Sequence, residues 1–302
     1  MRSAPCTDER CASLVLSCHS QPPGYSLHRG DSAVAFSLEQ PWSTAFVPLL
    51  RYDDPLLATR FVDIWGTLTS GTEVDGLGEC QVSHISNAAQ YLAVYCPEYY
   101  ESLMRVTRGL VVFRQPMTNS FASLNSHGIA FFNVLHDQDE AFFVDEIVHQ
   151  CGHIVFNSVT TRRADFIAID PDGPLSALSG NLSDHRKIYD AFHGLFTEYM
   201  MSRTLRVLDE ARVFSGRQAH EVFGRLSFIA RKFKRDLGFY AAPGVFTPLG
   251  QEFYKHLVDT CDELQLRRRD LFVTDMTDQP YNFSYALFAI EIRAPQWLKH
   301  GS

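Results

Sequence analysis

After a group of short apolar runs in the first half of the chain, hydrophobic and polar residues alternate mainly at helical spacing. Residues 83–108 carry that spacing, with aromatics at Tyr91, Tyr95, Tyr99 and Tyr100, and a shorter helix-like stretch covers 46–60. "GLVVFRQ" (109–115), "SFASL" (120–124) and "GIAFFNVL" (128–135) read as short strands, the last two separated by a turn at Asn125, Ser126, His127 and Gly128. The segment 138–157 is apolar on most faces, through Phe142, Phe143, Ile147, Val148, Ile154 and Val155, and predicts a central buried helix. The Pro, Gly, Asp and Ser content of 158–183 predicts a loop.

A long helix should follow, capped by Ser183 or Asp184 and running to about Arg212, then an amphipathic helix over 217–236. Thr247 followed by Pro248 marks a further helix start, and "YNFSYALFAIEI" alternates like a strand. Residues 1–45, rich in Pro, Ser, Cys and Gly, read as an irregular arm. With no internal repeat and no clear linker, 46–302 reads as a single mostly helical domain with a small sheet: a mainly α, α+β fold built on a central buried, metal-binding helix.

Composition narrows the function. The 302 residues are 45% hydrophobic and 21% charged, enough to bury a core without staples. The 27 basic residues against 35 acidic ones give a net charge of −8, which argues against nucleic acid or a membrane surface as partner. No apolar run approaches the roughly 18–20 residues that span a bilayer, and the N-terminus carries Asp8, Glu9 and Arg10, so a cytoplasmic protein is expected. Seven cysteines, an odd number without zinc-finger spacing, suit reduced thiols, and the sequons at Asn181 and Asn282 read as incidental.

The chemistry concentrates in "FFVDEIVHQCGHIVFN" (142–157). His149 and His153 are four residues apart, so on a helix they share a face and can close on one metal ion. This is the metal-gripping half of the HExxH signature, but Gln150 stands where a hydrolase needs its glutamate, and an amide is no base. Both histidines interrupt an apolar helix, where an unligated imidazole needs its own hydrogen-bond partner. A third ligand is sought on the next helix, in "SDHRKIYDAFHGLFTEYMM", where His193 and Glu198 lie about 140° apart and compete for one position. His193, the preferred of the two, falls one turn from Asp190 and Tyr189 and two turns from Arg186, so all four share a broad face.

Arg186 reads either as a surface charge or as a bidentate carboxylate clamp, with Arg162 and Arg163 as weaker candidates for that task. Gln150 and Asp190 complete the candidate catalytic set. His220-Glu221 reads as solvated helix surface, Cys151 as a packed thiol, and His84, His127 and His136 as lone histidines without ligand partners. The run "RKFKRDLGFY" (231–240) reads as a solvated helical face, with a grip on an acidic peptide as its functional alternative.

The order of an apolar helix with an HExxH-like motif, a Pro- and Gly-rich loop, a helix carrying "DHR" and "HG", and a late "TPLGQEFY" segment resembles the HExxH-type 2-oxoglutarate-dependent peptide β-hydroxylases of natural-product biosynthesis, over roughly 128–265. The resemblance implies Fe(II) on His149, His153 and His193, Arg186 on a carboxylate of 2-oxoglutarate, O2 as oxidant, and a peptide or carrier-bound amino acid hydroxylated at an unactivated C–H. Gln150 in place of glutamate and Lys187 in place of the usual proline depart from the pattern. The alternatives are a zincin-like zinc hydrolase using His149, His153 and Glu198, which Gln150 opposes, and a non-catalytic binding protein on a decayed scaffold.

Overall fold

The computed structural model describes residues 27–29, 32–34, 77–115, 118–134, 138–276, 279 and 282–291. The predicted helix at 46–60 and the arm at 1–45 lie outside them, except for β1 (Leu27–Arg29) paired antiparallel with β2 (Ser32–Val34). The segment 83–108 forms two helices, α1 (Leu77–Tyr95) and α2 (Pro97–Val106). The break falls at Cys96, because a residue before proline is pushed out of the α region, while Pro97 itself suits a first helical position.

The three predicted strands are β3 (Gly109–Phe113), β4 (Phe121–Ala122) and β5 (Ile129–Asn133), in the order β3-β5-β4, with β3 and β5 parallel and β4 antiparallel to β5. All of β3 and most of β5 are buried, as their continuous apolar runs require. Asn133, the last residue of the central strand, continues the β3–β5 pairing by accepting from the Gln115 backbone amide at 3.0 Å and donating to its carbonyl at 2.7 Å.

Helices follow: α3 (Glu140–Glu146), a π-helical turn (Ile147–Cys151), α4 (Gly152–Val159), the short α5 (Ser176–Ser179), α6 (Ile188–Glu210), α7 (Gly216–Phe239), α8 (Pro248–Arg267), α9 (Arg269–Val273) and α10 (Tyr285–Glu291). The fold is α+β, mostly helical with one small three-stranded sheet. The element from α3 to α4 is central: it touches α1, α2, the sheet, α6 and α7. Asp139 caps it, accepting from the Ala141 amide at 3.1 Å. Helix α6 lies across it and is buried on most of its circumference, and α7 runs back along α6. No helix among the described residues is long and apolar enough to cross a membrane.

Three expectations need correction. Helix α6 begins at Ile188, not at Ser183 or Asp184. Those residues sit in tight side-chain turns, Asp184 accepting from the Arg186 amide at 3.2 Å, while Lys187 pairs as a β-bridge with Pro174. Arg186 therefore precedes the helix and shares no helical face with His193. The tail that alternates like a strand is helix α10, because Phe288 sinks fully into α7 beside Phe283 at Gly224, where a β-carbon would come within 2.6–2.7 Å of those rings.

The start of α8 follows the sequence closely. Thr247 caps it, accepting from Gly250 N at 3.1 Å and donating to the Asp165 carbonyl, and Pro248 occupies the first turn. The turn is pressed so tightly on the loop that a β-carbon at Gly250 would collide with the Phe166 carbonyl oxygen. Gly238, near the end of α7, has open space instead. We predict that Gly250→Ala destabilises the protein by about 2 kcal/mol or more, as backbone overpacking does. Gly238→Ala should stabilise it by about 0.5–1 kcal/mol through helix propensity. Urea unfolding of both variants reads the two signs, and a neutral Gly250→Ala would contradict the tight contact.

Candidate functional site

The predicted histidine pair falls on the π-helical turn and the first residues of α4. A π turn accommodates one extra residue in an α-helix and leaves carbonyls in need of partners. Here the Tyr99 hydroxyl donates to the Val148 carbonyl at 2.9 Å. Gly152 makes room for it, since a β-carbon there would stand 2.8 Å from the Tyr99 hydroxyl. The His149 and His153 rings lie with centroids 4.9 Å apart.

Helix α6 brings in the third ring. The His193 centroid is 4.3 Å from that of His153, and His153 Nδ1 is 3.2 Å from His193 Nδ1 and 3.3 Å from its Nε2. His193 Nε2 is also 3.1 Å from the His153 carbonyl, which can only accept, so Nε2 carries the proton and Nδ1 the lone pair. His153 then donates from Nδ1 and keeps its lone pair on Nε2. Gln150 Nε2 stands 3.2 Å from His149 Nδ1 and 3.4 Å from a carboxylate oxygen of Glu146. The imidazoles thus hydrogen-bond to one another and to neighbours, and among the described residues no group of three or more His, Cys, Asp or Glu is arranged as a metal-ligand set.

The rings are nonetheless suited to accept a cation. Burial pushes His149 down to about 3, helped by Lys232 and His193. It holds His153 well below the ordinary histidine value, helped by His193, His149 and Lys232. His193 is pushed down to about 4, mainly by burial, with Arg163 adding to the effect. All three are neutral at physiological pH, the form in which imidazole ligates a metal. Rotation of the rings about their side-chain bonds, exchanging the His153–His193 hydrogen bond for a shared ion, is the rearrangement that a metal would require.

The surroundings are aromatic on one side and charged on the other. His193 lies between Phe156 and Tyr189, with centroids at 5.4 Å and 5.8 Å and rings nearly parallel. The Arg163 guanidinium sits 4.0 Å from the centroid of the Tyr189 ring and donates to the exposed Asp172 at 3.2 Å. On the other side Glu198, only 2% exposed, is ion-paired with Lys232, which also binds Asp236 at 3.1 Å. Burial raises the Glu198 carboxyl and the Lys232 ammonium draws it back. Its second oxygen is buried without a hydrogen-bond partner.

The structure brings His149, His153, His193 and Gln150 together. It places Asp190 on the exposed side of α6. Arg186 is bound to Asp184 at 2.8 Å and to Asp236 at 3.2 Å. Glu198 is neither solvated nor pointed at open space. His220 and Glu221, each 3% exposed, are not a solvated surface: Glu221 binds the buried Arg225, itself paired with Asp145 at 2.8 Å. The run 231–240 is likewise only partly solvated, because Lys232 and Asp236 point inward. Cys151 is a packed thiol, fully buried and pushed up to about 12 by burial.

Lys232 and Glu146 were hidden in the sequence. Lys232 and Asp236 are a helical i,i+4 pair on the apolar side of α7, a signal that such a charge faces inward. No protein-family model matches the chain, and no curated protein matches it.

The buried groups set opposing pH dependences. Unfolded histidines titrate near 6.5, so between about pH 6.5 and 4.5 the unfolded chain binds protons that His149, His153 and His193 refuse in the fold, and stability falls with pH. Glu146, pushed up to about 7 by burial and by Asp145, acts oppositely: its penalty is present above pH 7 and relieved on acidification. Glu146→Gln should therefore make stability of metal-free protein fall more steeply between pH 6.5 and 4.5, by on the order of 1–2 kcal/mol. Urea unfolding at three pH values tests this, and equal slopes for variant and wild type would contradict it.

Proposed function

We propose that the chain is an Fe(II)- and 2-oxoglutarate-dependent oxygenase that hydroxylates an unactivated C–H bond, at the β-carbon of a peptide or carrier-bound amino acid. The observation that carries the reading is the meeting of three neutral imidazoles from two elements, with an amide at position 150 in place of a hydrolytic base. His149, His153 and His193 would hold the metal, which together with 2-oxoglutarate supplies the activation of O2. Three nitrogen ligands leave positions open for cosubstrate and oxygen.

The chain's own groups have separable tasks in this reading. Gln150 lies against His149 Nδ1, and with its amide oxygen turned to that nitrogen it would accept the Nδ1–H of a ligating His149, the outer contact that orients a ligand. Phe156 and Tyr189 pack on the half-buried His193 ring and limit its orientations. Lys232 is taken up by Glu198 and Asp236, so Arg163, whose partner Asp172 is exposed, is the cation near His193 that an anionic cosubstrate would reach.

For the carboxylate clamp, Arg163 is better placed than Arg186. Its partner Asp172 is 56% exposed, so the pair is weak and exchangeable, whereas Arg186 is shared between Asp184 and the buried Asp236. Asp190, on the exposed side of α6, has no assigned part in the reaction.

Anaerobic addition of Fe(II) and 2-oxoglutarate should give the weak visible charge-transfer band of the chelate, and His193→Ala should abolish it. Arg163→Gln should raise the cosubstrate concentration needed roughly 10- to 100-fold, the worth of one charge-assisted contact, and Arg186→Gln by less. A protein that gives no band and holds one zinc ion, or no metal at all, would overturn the oxygenase reading.

A further inference from the structure

The loop before α6 brings a second cation to Arg163. Arg163 Nη1 donates to Asp172 Oδ1 at 3.2 Å, and Lys187 Nζ donates to that same oxygen at 3.0 Å. One carboxylate oxygen therefore stands where an arginine from one end of the loop and a lysine from the other converge. Lys187 is also the residue that takes the place of the usual proline after Arg186.

The backbone around these side chains is tied down. Ile188 N donates to the Gly173 carbonyl and Tyr189 N to the Pro171 carbonyl, each at 2.9 Å, and Pro174 pairs with Lys187 as a β-bridge. These bonds satisfy amides at the start of α6 that have no partner within the helix, and they fasten 171–174 to it. Asp172 and Lys187 are thereby held opposite each other, while their side chains, 56% and 54% exposed, can turn into solvent. Arg163 lies 4.0 Å from the centroid of the Tyr189 ring, which is parallel to His193 at 5.8 Å. One aromatic ring joins the convergence point to the imidazole cluster.

Net charge is not what marks the place. Asp170, whose carboxylate accepts from the Asp172 amide at 3.0 Å, and Asp190 are exposed in the same region, and Arg162 is paired with Asp165. The patch is therefore not electropositive. What distinguishes Asp172 is its contact with both cations, which hold its carboxyl below the usual carboxylate range, Lys187 more than Arg163. A ligand that replaces it must bring an anionic oxygen to the same point.

We infer that Asp172 is an internal stand-in for a ligand carboxylate, and that Lys187 is the second cation of the Arg163 clamp. A dicarboxylate reaching in from the His193 side displaces the Asp172 side chain into solvent and sets one carboxylate between the guanidinium and the ammonium. Competition then sets the affinity of the clamp, because the fraction of molecules in which Asp172 occupies it is closed to the ligand. That the dicarboxylate is 2-oxoglutarate rests on the oxygenase reading, whereas the clamp and its internal occupant do not.

Glutarate, a dicarboxylate with no keto group to chelate a metal, is the probe. It is titrated into metal-free protein at constant ionic strength while the Arg163 Nε–Hε NMR signal, assigned by its loss in Arg163→Gln, is followed. Wild type should show a saturable shift, and Asp172→Asn should tighten binding roughly fivefold, the worth of one exposed ion pair. Adding Lys187→Gln to that variant should weaken binding roughly threefold. Asp190→Asn and Arg162→Gln remove the same charges from exposed neighbours outside the clamp, and each should change the affinity by less than about twofold. This order of affinities supports the inference even where the iron chelate band is absent. The band together with an affinity indifferent to Asp172→Asn would uphold the oxygenase reading and overturn the inference. No response at Arg163, or controls that match the clamp variants, would overturn it as well.

Discussion

The centre of this protein depends on the desolvated contact between α4 and α6, where His153 meets His193. Both rings are half-buried against each other, His193 also against Phe156 and Tyr189, and this desolvation disfavours the charged imidazoles. The contact is held from outside by apolar packing: Phe156 stacks on Phe196 and Phe253 as well as on His193, so one ring joins α4, α6 and α8. Burying each such phenyl group contributes roughly 1.5–3 kcal/mol, which is the source of stability for a contact that half-buries three polar rings.

The charged side of the site shows the complementary constraint. Lys232 enters between Glu198 and Asp236, and Arg186 shares Asp236 from the loop before α6. A buried charge is tolerated only when paired, so these four side chains fix the positions of α6, α7 and the 184–187 loop relative to one another. Removing one partner leaves another charge uncompensated near His149. The network therefore couples the site's electrostatics to the fold, and it explains why Arg186 is less available to a ligand than Arg163.

Much of this was legible along the chain. The apolar 138–157 segment announced a central helix, the continuous runs at 109–115 and 128–135 announced buried strands, and Thr247-Pro248 located α8 to the residue. The histidine spacing identified the cluster's core, and His193 was the nearest suitable residue on the next helix. What failed had tertiary causes. The π turn leaves no mark in the sequence, because its freed carbonyl is answered by Tyr99, about 50 residues earlier.

Ser183 and Asp184 look like helix caps, but the β-bridge to Pro174 delays the helix to Ile188. The alternating tail became α10 because Phe288 found a slot at Gly224, and His220-Glu221 was buried by Arg225 and that same helix. Lys232 looked like surface because it stands in the basic run 231–235, and only the packing of α7 on α6 turns it toward Glu198.

The central claim is that His149, His153 and His193 act as one metal centre once an ion is supplied. Titration with Co(II), followed by its visible ligand-field absorption, tests it directly. The account predicts saturation at one equivalent per chain, with bands that are lost when any one of the three histidines is replaced by alanine. Unsaturable binding, or a spectrum unchanged in His193→Ala, would show that the three rings are a hydrogen-bonded core and not a site.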